Sequence, residues 1–346
     1  MLLVDFGGRE AGRRGMLLSM FAELLFALVA GDQAAAAPEI APQEIAAGVT
    51  LLSGSFLPER GPDGNTIIFD APEGLVVIDT GRHGWQSDAI LAFAQARRRP
   101  VAAIVNTHWH LDHTSGNGRV QAVFPNAPVY ATNAIDGVLA PGGFLARNLD
   151  GARGMLVGDQ LSAVQREEVQ IFIDTMAASD DLRPDVVIER GERARIAGRR
   201  FDLHITDGAV SAADIWLYDQ RTRVVVLGDL VTFPAPFFET ACPDAWRTAL
   251  DEVWATPFRI AIPGHGAAMD RAQFDTYRQA FGAFLDCVSS DAEASVCASA
   301  WSTNIAAFIA GDERAQIMAR QMAEYYVGFL RANGGRSPDC AAPSAT

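Results

Sequence analysis

Three of the chain's six histidines and an aspartate stand within six positions of one another in "HWHLDH", His108 to His113. Imidazoles and carboxylates crowded in this way hold a metal or move protons. Residues two apart in an extended segment point to the same side, so His108 and His110 aim at one point just beyond the apolar run "VAAIVN". Asp112 and His113 follow at a turn into a helix, where a second ion can sit beside the first. Neutral imidazole and carboxylate suit Zn²⁺, and also Fe or Mn, without any thiolate. Hydrolysis uses such an ion to bring the pKa of a bound water to about 7 and to polarise the scissile group. Two later residues fit the same chemistry. Asp229 follows the apolar run "VVVL" and a glycine, a carboxylate at the mouth of a buried strand. His265 lies between Gly264 and Gly266, where the backbone can bend closely around an ion.

"HWHLDH", followed by "TSGN", resembles the H-x-H-x-D-H signature of the metallo-beta-lactamase superfamily. The likeness extends over most of residues 45–270. "LVVIDTG" is similar to the family's early strand and turn, "VLGDLV" to its aspartate strand, and "IPGHG" to its late histidine loop. The resemblance implies an α+β fold, a four-layer αββα sandwich of two four-stranded halves with the metals between the sheet edges. It assigns His108 and His110 to a first metal site, and Asp112, His113 and His265 to a second. Asp229 would bridge both, and Asp79 would belong to the supporting shell.

One residue departs from that pattern. The family places a third histidine of the first site before the aspartate strand, where this chain reads "HITDGAVSAADIWLY". Val210 (or Ala209) occupies the place, and neither side chain binds a metal. His204, six residues upstream, reads as a structural histidine. Ser211 and Asp207 are weaker candidates, and His83 in "GRHGW" reads as a loop residue near the pocket mouth. The expectation is one tight zinc in the second site and a weak or absent one in the first.

The resemblance implies a metal-dependent hydrolase in which metal-bound hydroxide, oriented by Asp112 as the catalytic residue, attacks a small molecule. An ester, thioester, lactone, or phosphate or sulfate ester fits that chemistry. Asp229 stands where true β-lactamases of this fold carry cysteine or serine, which points away from β-lactams. Two other readings stay open. One is a member that has lost catalysis and serves as a periplasmic binding or accessory protein, with Val210 as its main support. The other is a mononuclear iron oxygenase. Trp85, Trp109, Phe144 and the run Phe233 to Phe238 are candidate walls of the pocket.

The elements that must position these residues follow from pattern. "NTIIFDAPEGLVVIDTG" reads as a β-hairpin turning at "APEG". "WQSDAILAFAQARRR" has helical spacing and is stopped by Pro100. Residues 134–182 break the strand–helix rhythm and read as a helical insertion at the edge of the core, a candidate lid. Strands return from "DVVIER" to "RIAIPGHG", interrupted by the helix "PDAWRTALDEVWA". Residues 271–335 read as a C-terminal helical extension, and 336–346 as a loose tail.

Composition narrows the partners. With 28 basic and 42 acidic residues the net charge is −14, which disfavours nucleic acid and anionic lipid; the small-molecule substrate is what the resemblance implies. Arg13 and Arg14, an apolar run and the small residues "QAAAAP" read as a signal peptide over 1–37, cleaved on export to the periplasm or beyond. The mature chain then keeps no stable membrane association, and its oligomeric state stays open. Four cysteines without C-x-x-C spacing suit disulfides in that setting. Cys287 and Cys297 bracket a short polar loop, and Cys242 with Cys340 is the remaining pairing.

Overall fold

The computed structural model describes residues 37–340, so the targeting segment expected over 1–37 lies, but for its last residue, outside the described residues. Seven strands form the first sheet in sequence order: β1 Gln43–Ala46, β2 Val49–Leu52, β3 Thr66–Ala71, β4 Gly74–Ile78, β5 Val101–Val105, β6 Val129–Ala131 and β7 Val186–Val187. The second sheet has six: β8 Glu192–Ile196, β9 Arg199–Asp207, β10 Ala213–Asp219, β11 Val224–Val226, β12 Ile260–Ile262 and β13 Met269–Asp270, in the order β13-β12-β11-β10-β9-β8. Each sheet is therefore larger than the expected four strands, because short edge strands extend both.

Alternation along the strands makes the layers. Ile67, Phe69, Val76 and Ile78 face Phe201, Leu203, Ile215 and Leu217 in one buried cluster between the sheets. Their neighbours Ile68, Leu75, Val77 and Ile104 face the other way, onto Ile90, Ala94 and Val120. Those last residues belong to α1 Gly84–Arg97 and α3 Asn117–Val123, with α2 Leu111–Thr114 a single turn between β5 and α3. On the far side, Trp216, Tyr218 and Val225 lie under α7 Pro243–Ala255, α8 Arg271–Val288 and α10 Glu313–Ala332. The result is the expected four-layer sandwich. The hairpin pairs β3 with β4, Ile67 opposite Ile78, and β4 to β5 is a parallel crossover through α1.

The insertion consists of α4 Ala134–Leu139, α5 Phe144–Val157 and α6 Ala163–Ala177. Phe144, Ala152 and Phe172 cluster with Trp109 and Leu111, so the insertion packs on the back of the histidine stretch. α9 Ala294–Asn304 completes the extension. Both disulfides are formed, Cys242–Cys340 and Cys287–Cys297. The first ties down residues 336–340 of the tail expected to be loose, while 341–346 lie outside the described residues. Cys340 is bound to the start of α7, Asp339 pairs with Arg147, and Ser337 is buried with its hydroxyl on the Glu239 carbonyl. Among the described residues no helix is long and apolar enough to cross a membrane.

Candidate metal centre

β4 and β5 run parallel and end side by side, at Asp79 and at the start of the histidine stretch. Asp79 takes a left-handed backbone conformation (φ 59°), which turns its carboxylate across to the neighbouring strand end. One oxygen accepts from the Thr107 amide at 2.8 Å. The other accepts from the Thr107 hydroxyl and from His113 Nδ1, each at 2.8 Å. The Thr107 hydroxyl spends its proton on Asp79, so its oxygen is left to accept from His108 Nδ1 at 3.0 Å. In the neutral form of both His108 and His113 the proton therefore sits on Nδ1, and Nε2 is the nitrogen left for a metal. A side-chain network of Asn106, Asn117 and Thr80 fixes the turn beneath them.

His110 is oriented from the opposite sheet. Its Nε2 lies 2.9 Å from the Thr240 hydroxyl, which donates to the Val210 carbonyl at 2.7 Å. The hydroxyl oxygen can then only accept from His110, which leaves Nδ1 with the lone pair. Val210 thus has a part after all. The residue at the usual histidine position contributes its carbonyl, two bonds removed from the centre.

Asp229 sits in a 3-10 turn, Gly228–Leu230, directly after β11, and His265 follows β12. The turns are pressed together: a side chain on Gly264 would place its first carbon 2.0 Å from Asp229 Oδ1. Asn65 pins the His265 loop through bonds to the Pro263, Gly264 and Gly266 carbonyls, and the Gly64 amide donates to the Asp112 carbonyl at 2.9 Å.

All six residues expected as ligands converge. His113 Nε2 is 3.2 Å from Asp229 Oδ1 and 3.5 Å from Asp112 Oδ2. His265 Nε2 is 3.0 Å from Asp112 Oδ2 and 3.5 Å from Asp229 Oδ1, while His108 Nε2 is 3.9 Å from Asp229 Oδ2. Two candidate donor groups result, Asp112–His113–Asp229–His265 and His108–His110–Asp229, the donor atoms of each within 4.8 Å of one another. Buried polar atoms without hydrogen-bond partners are rare. Here His108 Nε2, His113 Nε2 and Asp229 Oδ1 are three such atoms pointing into one space. That donor set fits a divalent cation.

The proton affinities show how the cluster is charged. Burial, with His113 and His110 alongside, holds His108 well below the ordinary imidazole range, and burial brings His110 down to about 4. Burial would also depress His113 and His265, but the carboxylates around them outweigh it. Asp229, Asp112 and Asp79 raise His113, and Asp229 and Asp112 raise His265. Conversely, burial would raise Asp112 and Asp229, yet the adjoining imidazoles hold both carboxylates well below their usual range.

The remaining candidates lie elsewhere. His204 stacks on Trp216 at 3.7 Å, on the outer face of the second sheet. Ser211 bonds Asp214, and Asp207 is exposed at the end of β9. His83 is not a mouth residue. It caps α1 and is buried between two carboxylates, because Asp63 and Glu168 pair with its two nitrogens. Thr107, Thr240 and Asn65 were not foreseen. Thr107 immediately precedes "HWHLDH", but Thr240 and Asn65 carry no signal in sequence.

A narrow cleft opens at Asp112, Asp229, His110 and His265 between Phe56, Phe233, Phe237 and Met322. It shares Phe56, Phe233, Pro234 and His265 with a cavity of about 280 Å³ that runs to Phe308, Ile309 and Met318. So of the expected walls the run from Phe233 serves, along with the C-terminal helices. Trp109 and Phe144 pack in the insertion's core, Phe238 lies in the core under α7 and Trp85 stacks on His83. A groove of about 650 Å³ at the opposite end, under Arg195, Arg200 and Arg221, contains none of the donors.

The family model described as the metallo-beta-lactamase superfamily matches residues 60–265. A linear primary-alkylsulfatase of Pseudomonas sp. (strain ATCC 19151) is 27% identical over 216 residues, covering 58% of this chain and 40% of that protein. An (R)-specific secondary-alkylsulfatase of Pseudomonas sp. is 25% identical over 226 residues, covering 61% and 34%. The chain thus spans well under half the length of either. Among solved structures, the stereoselective inverting sec-alkylsulfatase from Pseudomonas sp. superposes with a TM-score of 0.56 at 17% identity, over 85% of this chain and 51% of the other. A metallo-beta-lactamase from Pontibacter korlensis does so at 0.50 and 19%, over 70% and 99%.

Proposed function

Because the chain belongs to the metallo-beta-lactamase superfamily, we propose that it is a metal-dependent hydrolase whose substrate is a sulfate ester of a small apolar alcohol. The observation that carries this is the pair of donor groups sharing Asp229 at the end of an apolar cleft. The sulfate-ester choice is supported by the two relatives named as alkylsulfatases.

His108, His110 and Asp229 would hold one zinc ion, and Asp112, His113, Asp229 and His265 the other. Such an ion supplies a water of lowered pKa, about 7, and polarises the ester oxygens. The chain's own residues do the rest. Asp112 is ionised at neutral pH, so it can orient an attacking water and accept its proton. Asp79 and Thr107 keep two imidazoles in the metal-binding tautomer, and Thr240 keeps the third.

Phe56, Phe233 and Met322 keep bulk water away and receive the alcohol's apolar part. The polar side chains on the adjoining cavity are already engaged. Asn65 bonds the His265 loop, Arg314 bonds the Phe56 and Leu57 carbonyls, and Asp312 caps α10. The lining is mixed, and Phe233, Phe308, Ile309 and Met318 supply its hydrocarbon part. Two disulfides suit an oxidising compartment, and we place the mature protein in the periplasm or outside the cell.

Sulfate release from alkyl sulfates of graded length, by zinc-loaded protein and by the His110→Ala and Asp112→Ala variants, tests this. Turnover should fall at least ~100-fold in both variants. Zinc-loaded wild type inert on every ester class would favour the accessory-protein reading instead. A second reading rests on one observation: His108, His110 and Asp229 form a two-histidine, one-carboxylate set, which also suits mononuclear iron. Elemental analysis of the purified protein separates the two, since iron at one equivalent with no zinc would decide for the oxygenase.

A further inference from the structure

We propose that Glu168 of the insertion, through His83 and Asp63, is a positioning residue for the metal centre, which makes the insertion part of the site's scaffold rather than a lid. The proposal rests on the ligand assignment above.

Behind the centre lies a buried cluster of charge that the chemistry does not use. His83 Nδ1 is 2.8 Å from Asp63 Oδ2, and His83 Nε2 is 3.0 and 3.1 Å from the two Glu168 oxygens. A neutral imidazole has one N–H, so a ring facing carboxylates from both nitrogens is an imidazolium. Arg60 donates to Glu168 and Glu167, and the Gly61 amide to Glu168 at 3.0 Å. Asp63 collects the Arg82 and His83 amides, the Ser55 hydroxyl and the Trp85 indole, whose ring stacks on His83 at 4.0 Å.

Two segments emerge from this cluster, and both lead directly to the donors. Residues 60–63 run into Gly64, whose amide holds the Asp112 carbonyl, and Asn65, which holds the His265 loop. Residues 83 to 79 run back to Asp79, which fixes His108 and His113. Glu168 comes from neither segment. It is supplied by α6, more than 80 residues along the chain from His83, and it binds both at once.

The insertion contributes no wall to the cleft or to the adjoining cavity. Its polar contact with the site loops runs through Glu167 and Glu168. Buried ion clusters cost desolvation and are poor sources of stability, so geometry is the better account of this one.

The test is Zn²⁺ affinity by chelator competition, with the Co²⁺ absorption spectrum as a readout of donor geometry. It compares wild type, Glu168→Gln, Glu168→Ala and a control, Ser162→Ala. Ser162 caps α6 and bonds Gln165, so its loss loosens the helix without touching residues 60–65. Outer partners of metal ligands are worth 10–100-fold in affinity. We expect ~10-fold weaker zinc binding and a shifted cobalt spectrum in Glu168→Gln, and a larger loss in Glu168→Ala. Ser162→Ala should melt lower yet bind within ~2-fold of wild type. Glu168→Gln binding zinc as wild type does overturns the proposal. So does an equal loss of affinity in Ser162→Ala, which would make the effect one of stability. If Glu168→Ala does not fold, the isosteric Gln variant decides alone. Wild type failing to bind zinc is a separate result, since it removes the ligand assignment itself.

Discussion

Thr240→Val should weaken one metal site and spare the other. Thr240 touches only His110 among the donors: its hydroxyl gives its proton to the Val210 carbonyl at 2.7 Å and accepts from His110 Nε2 at 2.9 Å. Valine matches the shape of threonine but removes both bonds. His110 Nε2–H would then be buried without a partner, at a cost of about 1–3 kcal/mol. The ring can escape that cost by moving its proton to Nδ1, and this tautomer has no lone pair for the ion. The apo ring escapes in this way and the metal-bound ring does not, so binding at His108–His110–Asp229 loses ~1–3 kcal/mol, roughly 5–150-fold. The second group, Asp112–His113–Asp229–His265, has no bond to Thr240 and should keep its affinity. Stepwise zinc titration by calorimetry separates the two. Thr240→Ser keeps the hydroxyl and should restore the first site. Equal losses at both sites, or a serine variant as weak as the valine one, would refute the account of the tautomer.

Asp229→Asn removes the carboxylate common to both groups, so zinc affinity should fall at both sites, by more than the ~10–100-fold typical of outer partners. The His83 cluster predicts a pH window for stability. The bonds to His83 outweigh burial and hold Asp63 and Glu168 below their ordinary 3.8 and 4.5, so their contribution is present above those values and lost as pH falls through the lowered ones. The same bonds outweigh burial at His83 and raise it above 6.5, so its contribution is complete below 6.5 and lost as pH rises through the raised value. The melting-temperature gap between zinc-saturated wild type and the His83→Gln/Glu168→Gln variant should thus be widest between about pH 4.5 and 6.5 and shrink on both sides; a gap flat with pH contradicts the ion triad. Ala315→Leu intrudes on the 280 Å³ cavity. If it displaces two methylenes of a long substrate, at ~0.8 kcal/mol each, kcat/KM for that substrate should fall ~15-fold relative to a short one. Replacing Cys242 and Cys340 by serine opens a 98-residue loop and should cost about 4–5 kcal/mol in denaturant unfolding, against about 3 for the 10-residue Cys287–Cys297 loop.

The grouping of the candidate donors was legible because their chemistry is local. "HWHLDH" needs only strand geometry to aim two imidazoles, and the glycines around Asp229 and His265 mark backbone that must come close. The strands were legible as short apolar runs such as "TIIFDA" and "GLVVI", but these are buried on both faces and do not alternate, so the layers came from the family resemblance. What stayed hidden depends on distant partners. Thr240 bonds His110 across 130 positions, and Glu168 reaches His83 across 85. No periodicity reports such pairs. His83 was misplaced for the same reason: in "GRHGW" it looks like a surface turn, and only two remote carboxylates make its burial tolerable. The tail after 336 is polar and small, so its attachment through Cys340 depended on which cysteines pair.

Charge counting argues that the weaker site and the substrate depend on each other. Once metal has displaced the imidazole protons, Asp79, Asp112 and Asp229, all three buried, carry −3 among neutral rings. One dication leaves −1, which repels a sulfate ester. Two leave +1, which a monoanionic ester brings to zero. In a buried site an unbalanced charge is costly, so the second cation and the anion should each strengthen the other's binding. Linkage makes that factor identical in both directions. The first group, one imidazole short because Val210 stands where a histidine is usual, is where this dependence should appear. Calorimetry of the apo protein with zinc should give one tight equivalent alone and two in the presence of a non-hydrolysable alkyl sulfonate. Two equally tight ions without the sulfonate, or a sulfonate that leaves the isotherm unchanged, would show that the missing imidazole is compensated in some other way and that the anion takes no part in holding the metal.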